Sequence, residues 1–490
     1  MNDRPPDGLG RRRRLLVLAV CSLSLLIVGL DTTIVNVALP AIRNSLHASV
    51  SGLQWTVDAY TLVLASLLML AGSTGDRLGR RRTFQTGLVV FSLGSLLCAL
   101  APNLELLVAS RVLQAIGGSM LNPVAMAIIR NVFEDPRERA QAIGVWGAVF
   151  GLSMALGPIV GGALVDLVGW RSVFLVNVPV GVVALGLTAA YVPESRAARP
   201  RRLDALGQLL VIAALASLTY AIIEGPRTGW TSAEILGLFA FSLACFVVLV
   251  RYELRREQPL LEMRFFHSAP FSGASAIAVL AFAAQGGFLF LSTLYLQEVR
   301  GFSPLHAGLY MLPMAAMTVV CAPLSGRVVA RRGARPSLVV AGVALTAGAL
   351  MLTRLTPVTS AVYLLGAYFV FGLGAGLINP PITNTAVSGM PPSQAGVAAA
   401  VASTSRQVGM TLGVAVIGAI AGGDISGELG RSFAVATHPG WWVIAVLGAV
   451  ILAIGVLTTT PWARETARQT ADRFREGRRP ARLEHREVTA

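Results

Sequence analysis

The chain has 490 residues, of which 54% are hydrophobic and only 13% are charged, against about 25% charged residues in soluble proteins. This composition excludes an ordinary soluble domain and predicts an integral membrane protein. All 40 basic residues are arginine and they exceed the 25 acidic ones, which alone would also suit a nucleic-acid binder, so their distribution must decide.

Runs of about 20 apolar residues are long enough to cross a bilayer as helices. Cutting the chain at arginine-rich and Pro/Gly-rich breaks leaves fourteen of them, near 15–39, 53–75, 84–101, 105–129, 140–163, 172–192, 206–224, 233–250, 271–294, 305–326, 337–353, 360–386, 397–421 and 439–461. The predicted fold class is an all-α integral membrane protein with fourteen transmembrane helices.

The arginines orient these spans. With both termini in the cytoplasm, 32 of the 40 arginines lie in cytoplasmic segments, six lie in outer loops, and Arg111 and Arg406 lie inside spans. Because cytoplasmic loops are enriched in basic residues, this split predicts a multi-pass protein of the cell inner membrane with both termini inside. It also accounts for the basic excess, so we expect membrane lipids and no nucleic acid as partners.

The chain repeats itself after about half its length. "GGSMLNPV" at 117–124 returns as "GAGLINPP" at 374–381, and "ALGPIVGG" at 155–162 returns as "TLGVAVIG" at 411–418. Spans one to six therefore correspond to spans nine to fourteen, with two spans inserted between them. The predicted organisation is a cytoplasmic N-terminus (1–14), a six-helix bundle (15–192), a linker with two extra helices (193–270), a second six-helix bundle (271–461) and a cytoplasmic tail (462–490).

Spans two and three are joined by "GSTGDRLGRRRTF" at 72–84. Its glycines permit a tight turn and close helix approach, and its charges lie at the cytoplasmic mouth, where charge pairing would lock one half against the other. The simpler alternative is a basic loop with turn glycines. The candidate gate residues are Gly72, Asp76, Arg77, Gly79 and Arg80.

Span five contains "GVWGAVFGLSMALGPIVGG" at 144–162. Glycines remove side chains from one face, and a proline inside a helix removes a backbone hydrogen bond and bends it. In the repeat, Pro158 becomes Val414 and Gly161 becomes Ile417. This asymmetry favours a moving interface over plain helix packing, with Gly144, Gly157, Pro158, Gly161 and Gly162 as the candidate residues.

Three ionisable side chains lie at similar depth in the first half. At about 1.5 Å per residue, Asp31 in "VGLDTTIVNVALP" lies roughly 12 Å below the outer end of its span, Arg111 roughly 9 Å deep and Asp58 roughly 8 Å deep. Burial opposes ionisation of an acid and a neighbouring cation favours it, so such a carboxylate can load and release a proton as its exposure changes. The alternative is a static ion pair between Asp31 and Arg111. Asp58 can also attract cationic substrates.

Other polar and aromatic side chains in the spans are candidates for a substrate cavity, although each can equally bond or pack between helices. They are Asn36, Tyr60, Asn122, Gln285, Asn379, Arg406 and Gln407.

Several chemistries are excluded or disfavoured. The four cysteines lie in apolar segments without paired spacing, and the five histidines lie in loops, at span edges or in the tail, so no disulfide, metal site or intramembrane active site is expected. The chain has no lysine and therefore no G-x-x-x-x-G-K-[ST] phosphate loop, which excludes ATP-driven pumping by this chain. We expect no cofactor, with the proton gradient as the energy source.

The motifs together resemble those of the major facilitator superfamily. The loop at 72–84 is similar to its signature G-x-x-x-D-R-x-G-R-R, "RVLQAIGGS" to its fourth-span signature R-x-x-Q-G-x-G with Ala115 at the first glycine, and 144–162 to its antiporter signature with Ser153 at one glycine. "LDTTIVNVALP", "WTVDAYTL", "LYLQEVRGFSPLHAGL" and "SRQVGMTLG" resemble the fourteen-span drug:proton antiporters. The resemblance implies two six-helix bundles plus two inserted central helices, and proton coupling through Asp31, Asp58, Arg111 and Gln114.

The resemblance also implies a function. It predicts a proton-coupled antiporter, not an enzyme, that exports hydrophobic or cationic drugs or toxins from the cytoplasm by alternating access and works as a monomer. Export of an endogenous metabolite, antibiotic or lipid by the same machinery is the alternative. An intramembrane enzyme or a sensor is less favoured.

Overall fold

The computed structural model describes residues 10–197, 204–256, 259–388, 390, 394–422 and 431–476. The predicted N-terminal segment before residue 10 and the tail after residue 476 lie outside these ranges. In chain order the helices are α1 (Arg11–Leu46), α2 (Val50–Leu78), α3 (Arg80–Leu100), α4 (Leu104–Val132), α5 (Pro136–Leu167), α6 (Ser172–Leu175), α7 (Asn177–Tyr191), α8 (Ala205–Thr228), α9 (Ala233–Glu253), α10 (Ala269–Leu294), α11 (Pro304–Tyr310), α12 (Leu312–Arg332), α13 (Arg335–Leu352), α14 (Ala361–Val387), α15 (Ala395–Gly422), α16 (Arg431–Ala436), α17 (His438–Leu457) and α18 (Pro461–Glu476). A 3-10 turn (Met263–His267) precedes α10, and a π turn (Tyr295–Val299) follows it.

Fourteen helical segments of the described chain are long and apolar enough to cross a membrane, which confirms the predicted number. The sixth combines α6 and α7, and the fourteenth combines the end of α16 with α17. Many of the helices begin where a short polar side chain accepts a hydrogen bond from the backbone of the first turn. These caps are Ser49, Asn103, Asp135, Asp204, Ser232, Ser268, Ser303 and Ser360.

The two six-helix bundles repeat the same packing. In the first bundle (α1–α7), α1 packs on α5, and α2 and α3 pack on α4. In the second bundle (α10–α17), α10 packs on α15, and α12 and α13 pack on α14. The matching proline positions, Pro123 in α4 and Pro380 in α14, lie inside equivalent helices. The internal repeat of the sequence is therefore a repeat of structure.

The inserted hairpin of α8 and α9 lies against α2 and α15, one helix from each bundle. Its hydrogen bonds go to α2: Gln208 Nε2 donates to the Ser66 carbonyl at 2.5 Å, and Trp55 Nε1 donates to Glu224 Oε1 at 3.0 Å. Toward α15 its surface is mostly apolar, with Leu215 and Thr219 of α8 lying beside Val408 and Leu412 of α15. The hairpin is thus joined to the first bundle at both ends of α8.

The contacts between the bundles run from one end of the spans to about their middle. We call the end at which α1 and α3 begin the arginine-rich face, and the other end the opposite face. At the opposite face Gln297 Nε2 donates to the Val37 carbonyl at 2.9 Å, and Asp166 accepts from Ser303 Oγ and the Leu305 amide at 2.9 and 3.0 Å. At the arginine-rich face no hydrogen bond or ion pair joins the bundles among the residues the structure describes. The space between the bundles therefore opens toward the arginine-rich face.

Helix α5 shows the same asymmetry along its glycines. A side chain at Gly157 or Gly161 would collide with α1, and one at Gly162 would collide with α11. Gly144 and Gly147, in the arginine-rich half, are exposed and have nothing within 4 Å of a Cβ position. One half of α5 is closely packed and the other borders open space.

Candidate functional site

A buried polar network surrounds Asp31 in the first bundle. The carboxylate has no solvent exposure and accepts three hydrogen bonds. Arg111 Nη1 donates to Oδ2 at 2.6 Å, and Gln114 Nε2 and Asn177 Nδ2 donate to Oδ1 at 2.8 and 3.0 Å. The structure therefore brings together Asp31, Arg111 and Gln114, as expected from the sequence, and adds Asn177.

Helices α3 and α7 complete the network. Ser95 Oγ of α3 accepts from both Gln114 Nε2 and Asn177 Nδ2 at 3.0 Å and donates to the Phe174 carbonyl. This contact needs α3 and α4 to lie very close, and Gly94 permits it, because a Cβ there would fall within 2.5 to 2.8 Å of Gln114 atoms. Asn177 reaches the site because the short α6 ends just before it and α7 begins there.

The guanidinium of Arg111 is held from two more sides. Its Nε donates to the Thr56 carbonyl at 3.1 Å, and its Cζ lies 4.2 Å from the centre of the Tyr60 ring. Arg111 is only 1% exposed. A buried pair of this kind is costly to break, since removing one partner of a buried ion pair typically destabilises a protein by about 3–5 kcal/mol. Binding a proton at Asp31 would have the same electrostatic effect, because it would leave Arg111 without a counter-charge.

The second bundle has aromatic side chains where the first bundle has the charged network. Tyr368 and Phe371 stand 257 residues after Arg111 and Gln114 in the repeat, and their rings lie 5.0 and 4.1 Å from that of Phe288. At the level where the first bundle has a polar network, the second bundle packs aromatic rings. The repeat itself therefore does not dictate charged residues at this level.

Asp58 is buried but lies outside this network. Its Oδ1 accepts from Thr61 Oγ1 at 3.4 Å, and Thr61 in turn accepts from Thr411 Oγ1 of α15 at 2.9 Å. Its Oδ2 has no hydrogen-bond partner among the residues that the structure describes. Asp58 points to the side of α2 that contacts α15, away from Asp31 and Arg111, and its part in proton coupling stays a prediction.

The loop at 72–84 bonds within the first half. Asp76 accepts from Arg80 Nε and Nη2 at 3.1 and 2.8 Å, one helical turn apart across the break at Gly79, which has φ +114°. Arg77 is exposed, and Gly72 lies beside Pro123 of α4.

Residues after α7 provide the other partners of this loop. Glu194 accepts from the Arg81 and Arg82 amides at 3.1 and 3.3 Å, and the Ser195 carbonyl accepts from the Arg80 amide at 2.9 Å. The expected pairing between the two halves is not formed in the described part of this conformation, because the bundles are apart at this face.

The antiporter motif forms part of the closed contact between the bundles. Pro158 lies inside α5, and its carbonyl faces Gly308 of α11, where a Cβ would collide with it. Gly162 faces Leu305 of α11. Gly144 takes no part in this contact.

The cavity candidates divide into two groups. Asn36, Tyr60 and Gln285 are at most 9% exposed: Asn36 bonds within α1 and Tyr60 lies under Arg111. Asn122, Asn379, Arg406 and Gln407 are partly exposed. For both groups, lining a substrate cavity stays a prediction.

Sequence reasoning missed Ser95 and Asn177. Each was visible only as a polar residue in an apolar span. Among the residues that the structure describes, no group of three or more His, Cys, Asp or Glu side chains is arranged to hold a metal ion.

Residues 21–414 match the family model described as Major Facilitator Superfamily. The chain belongs to the major facilitator superfamily. It is therefore a transporter and not an enzyme, built on the fold expected from the motifs. Among curated members, the chain is 39% identical over 419 residues to the multidrug resistance protein Stp of Mycobacterium tuberculosis, covering 85% of this chain and 78% of that protein.

A second curated relative and a solved structure agree with this family membership. The tetracenomycin C resistance and export protein of Streptomyces glaucescens is 38% identical over 438 residues, which cover 89% of this chain and 81% of that one. Among solved structures, a bacterial homologue of the human drug peptide transporters PepT1 and PepT2 has a TM-score of 0.66 at 15% identity, covering 93% and 99% of the two chains. At that identity the likeness supports the major facilitator fold alone.

Proposed function

We propose that this transporter is a proton-coupled exporter of hydrophobic or cationic small molecules, driven by the proton gradient without a cofactor. The observation that carries the proposal is the fully buried Asp31, held by Arg111, Gln114 and Asn177. Several relatives are named for multidrug resistance or antibiotic export, which supports the same direction of transport.

Asp31 is suited to proton coupling because its protonation changes the charge balance inside the first bundle. When ionised, it neutralises Arg111 and accepts hydrogen bonds from all three donors. When protonated, it leaves the buried guanidinium of Arg111 without a counter-charge. A conformational change that exposes Arg111 or Asp31 to water would relieve that cost. The aromatic packing at the matching level of the second bundle supports a functional over a purely structural reason for the network.

The direction of opening suits an exporter waiting for substrate. We place the arginine-rich face in the cytoplasm by the positive-inside rule, in the inner membrane. The structure then has its outer side closed and its cytoplasmic side open. We further propose that residues 15–192 and 271–461 are the two moving bodies and that the linker 193–270 joins them. A single monomer carries out transport. The loop at 72–84 contacts the second bundle only in the outward-facing state.

The test is uphill transport in proteoliposomes. With a pH gradient imposed, the native chain is expected to accumulate tetracenomycin C against its gradient, and a protonophore is expected to abolish accumulation. Asp31→Asn should bind the compound and fail to accumulate it. Accumulation that ignores the pH gradient would contradict proton coupling.

Export of a compound made by the producing cell is the second candidate. It is favoured by the relative named for both resistance to and export of tetracenomycin C. The same residues serve both functions, and comparing accumulation of foreign drugs with extracts of the producing cell would separate them.

A further inference from the structure

Arg406 is partly exposed and lies between α15 and α14, in the half of both helices nearer the arginine-rich face. Helix α15 packs on α10 through Gly409 and Gly413. With 3.6 residues per turn, Arg406 lies on nearly the same side of α15 as these glycines, and its side chain reaches to α14, where it contacts Asn379 and Thr383. Asn379 is partly exposed and Thr383 is exposed, so the guanidinium ends in an open polar region on the side where the bundles are apart.

Arg406 has no acidic partner. Its Nη1 donates to Asn379 Oδ1 at 3.2 Å and weakly to Thr383 Oγ1 at 3.4 Å, both neutral. In the described chain no carboxylate forms an ion pair with it, and Nε and Nη2 have no hydrogen-bond partner. Arginine carries five N–H donors in a planar fork, so most of its donors are available to a ligand.

An arginine without an acidic partner is energetically costly at the position of Arg406. Arg406 lies roughly 16 Å along α15 from its first residue, well within a membrane span. An arginine at the centre of a transmembrane helix costs about 2.5–3.5 kcal/mol on insertion scales, and such residues almost always face the bundle interior or a water-filled cavity and mark a functional site. The two buried acids of the first bundle are already placed elsewhere: Asp31 is paired with Arg111, and Asp58 lies against Thr61.

We propose that Arg406 is the charged recognition residue of the cavity and that, within the proposed export function on which this inference rests, it favours hydrophobic substrates bearing a carboxylate or phenolate over permanent organic cations. A carboxylate or phenolate accepts charge-assisted hydrogen bonds from the free Nε and Nη2 edge. Asn379 and Thr383 hold the guanidinium in place without neutralising it. A permanent cation meets an uncompensated positive charge there.

The experiment compares two dyes of one xanthene scaffold, anionic fluorescein and cationic rhodamine 123, by fluorescence anisotropy on the purified full chain in nanodiscs. The native protein should bind fluorescein at least about tenfold more tightly, as expected for one or two charge-assisted hydrogen bonds. Arg406→Gln should remove that preference, and Arg406→Lys should keep part of it. Arg354→Gln, which removes the same charge from an exposed loop residue, is the matched control and should bind like the native chain.

Thermal unfolding of each variant separates loss of recognition from loss of fold. Tighter binding of rhodamine 123, absence of fluorescein binding, or an unchanged preference in Arg406→Gln would overturn the proposal. Because the measurement needs no proton gradient, intact preference together with failed uphill transport would count against the proposed export function and leave this inference standing.

Discussion

Neutralising Asp31 and Arg111 singly and together separates a proton site from a static ion pair. Asp31→Asn leaves a guanidinium that is 1% exposed without its counter-charge, and Arg111→Gln leaves a fully buried carboxylate without its cation. Each single change should therefore lower the free energy of unfolding by about 3–5 kcal/mol. The double variant contains no buried charge at this site, and amide groups can re-form several of the hydrogen bonds, so its stability should return to within about 1–2 kcal/mol of the native value.

The assay combines denaturant unfolding in detergent with proton-coupled uptake in vesicles, and Glu234→Gln, an exposed acid at the start of α9, is the control for the loss of one carboxylate. If Asp31 carries the proton, the double variant recovers stability but not coupling. Recovery of both would refute this reasoning and leave the ion pair as a helix-packing device.

Three further predictions follow from other parts of the molecule. Gly147→Leu enters open space and should change the free energy of unfolding by less than about 0.5 kcal/mol, but it should reduce transport by blocking closure of the bundles at the arginine-rich face. Gly186→Leu, equally unobstructed on α7, should transport normally, and equal activity of both would contradict the closing role. A cysteine pair replacing Trp55 and Glu224, cross-linked between α2 and α8, should leave transport intact, because hydrogen bonds already hold the hairpin to α2 of the first bundle; arrest on cross-linking would show that the hairpin moves separately. Glu194→Ala removes the acceptor for two amides at the start of α3 and should cost about 1 kcal/mol in thermal unfolding, while an unaltered melting temperature would rule out that capping role.

The sequence was sufficient for features that depend on counting along helices. The rise per residue fixes depth, so the sequence placed Asp31 and Arg111 near one level and offered an ion pair between them as one of two interpretations. Apolar length gave the fourteen helices, and the repeated motifs gave the two bundles.

Direction around a helix was harder to predict, because it depends on which neighbours each face meets. Asp58 matched the other two charges in depth but faces α15, and Tyr60 proved to lie under Arg111. Ser95 and Asn177 join the network through the close approach of α3 and the break before α7, neither of which has a sequence signal beyond a polar residue in an apolar run. The partners of the loop at 72–84 depend on which side of the transporter is open, which no single sequence specifies.

Substrate-driven proton release from the purified protein tests the central claim most directly. In weakly buffered detergent solution with a pH indicator, adding substrate to the native chain should release protons, and Asp31→Asn should release none while still binding the substrate. Equal proton release by the two proteins would contradict the assignment of Asp31 as the coupling site.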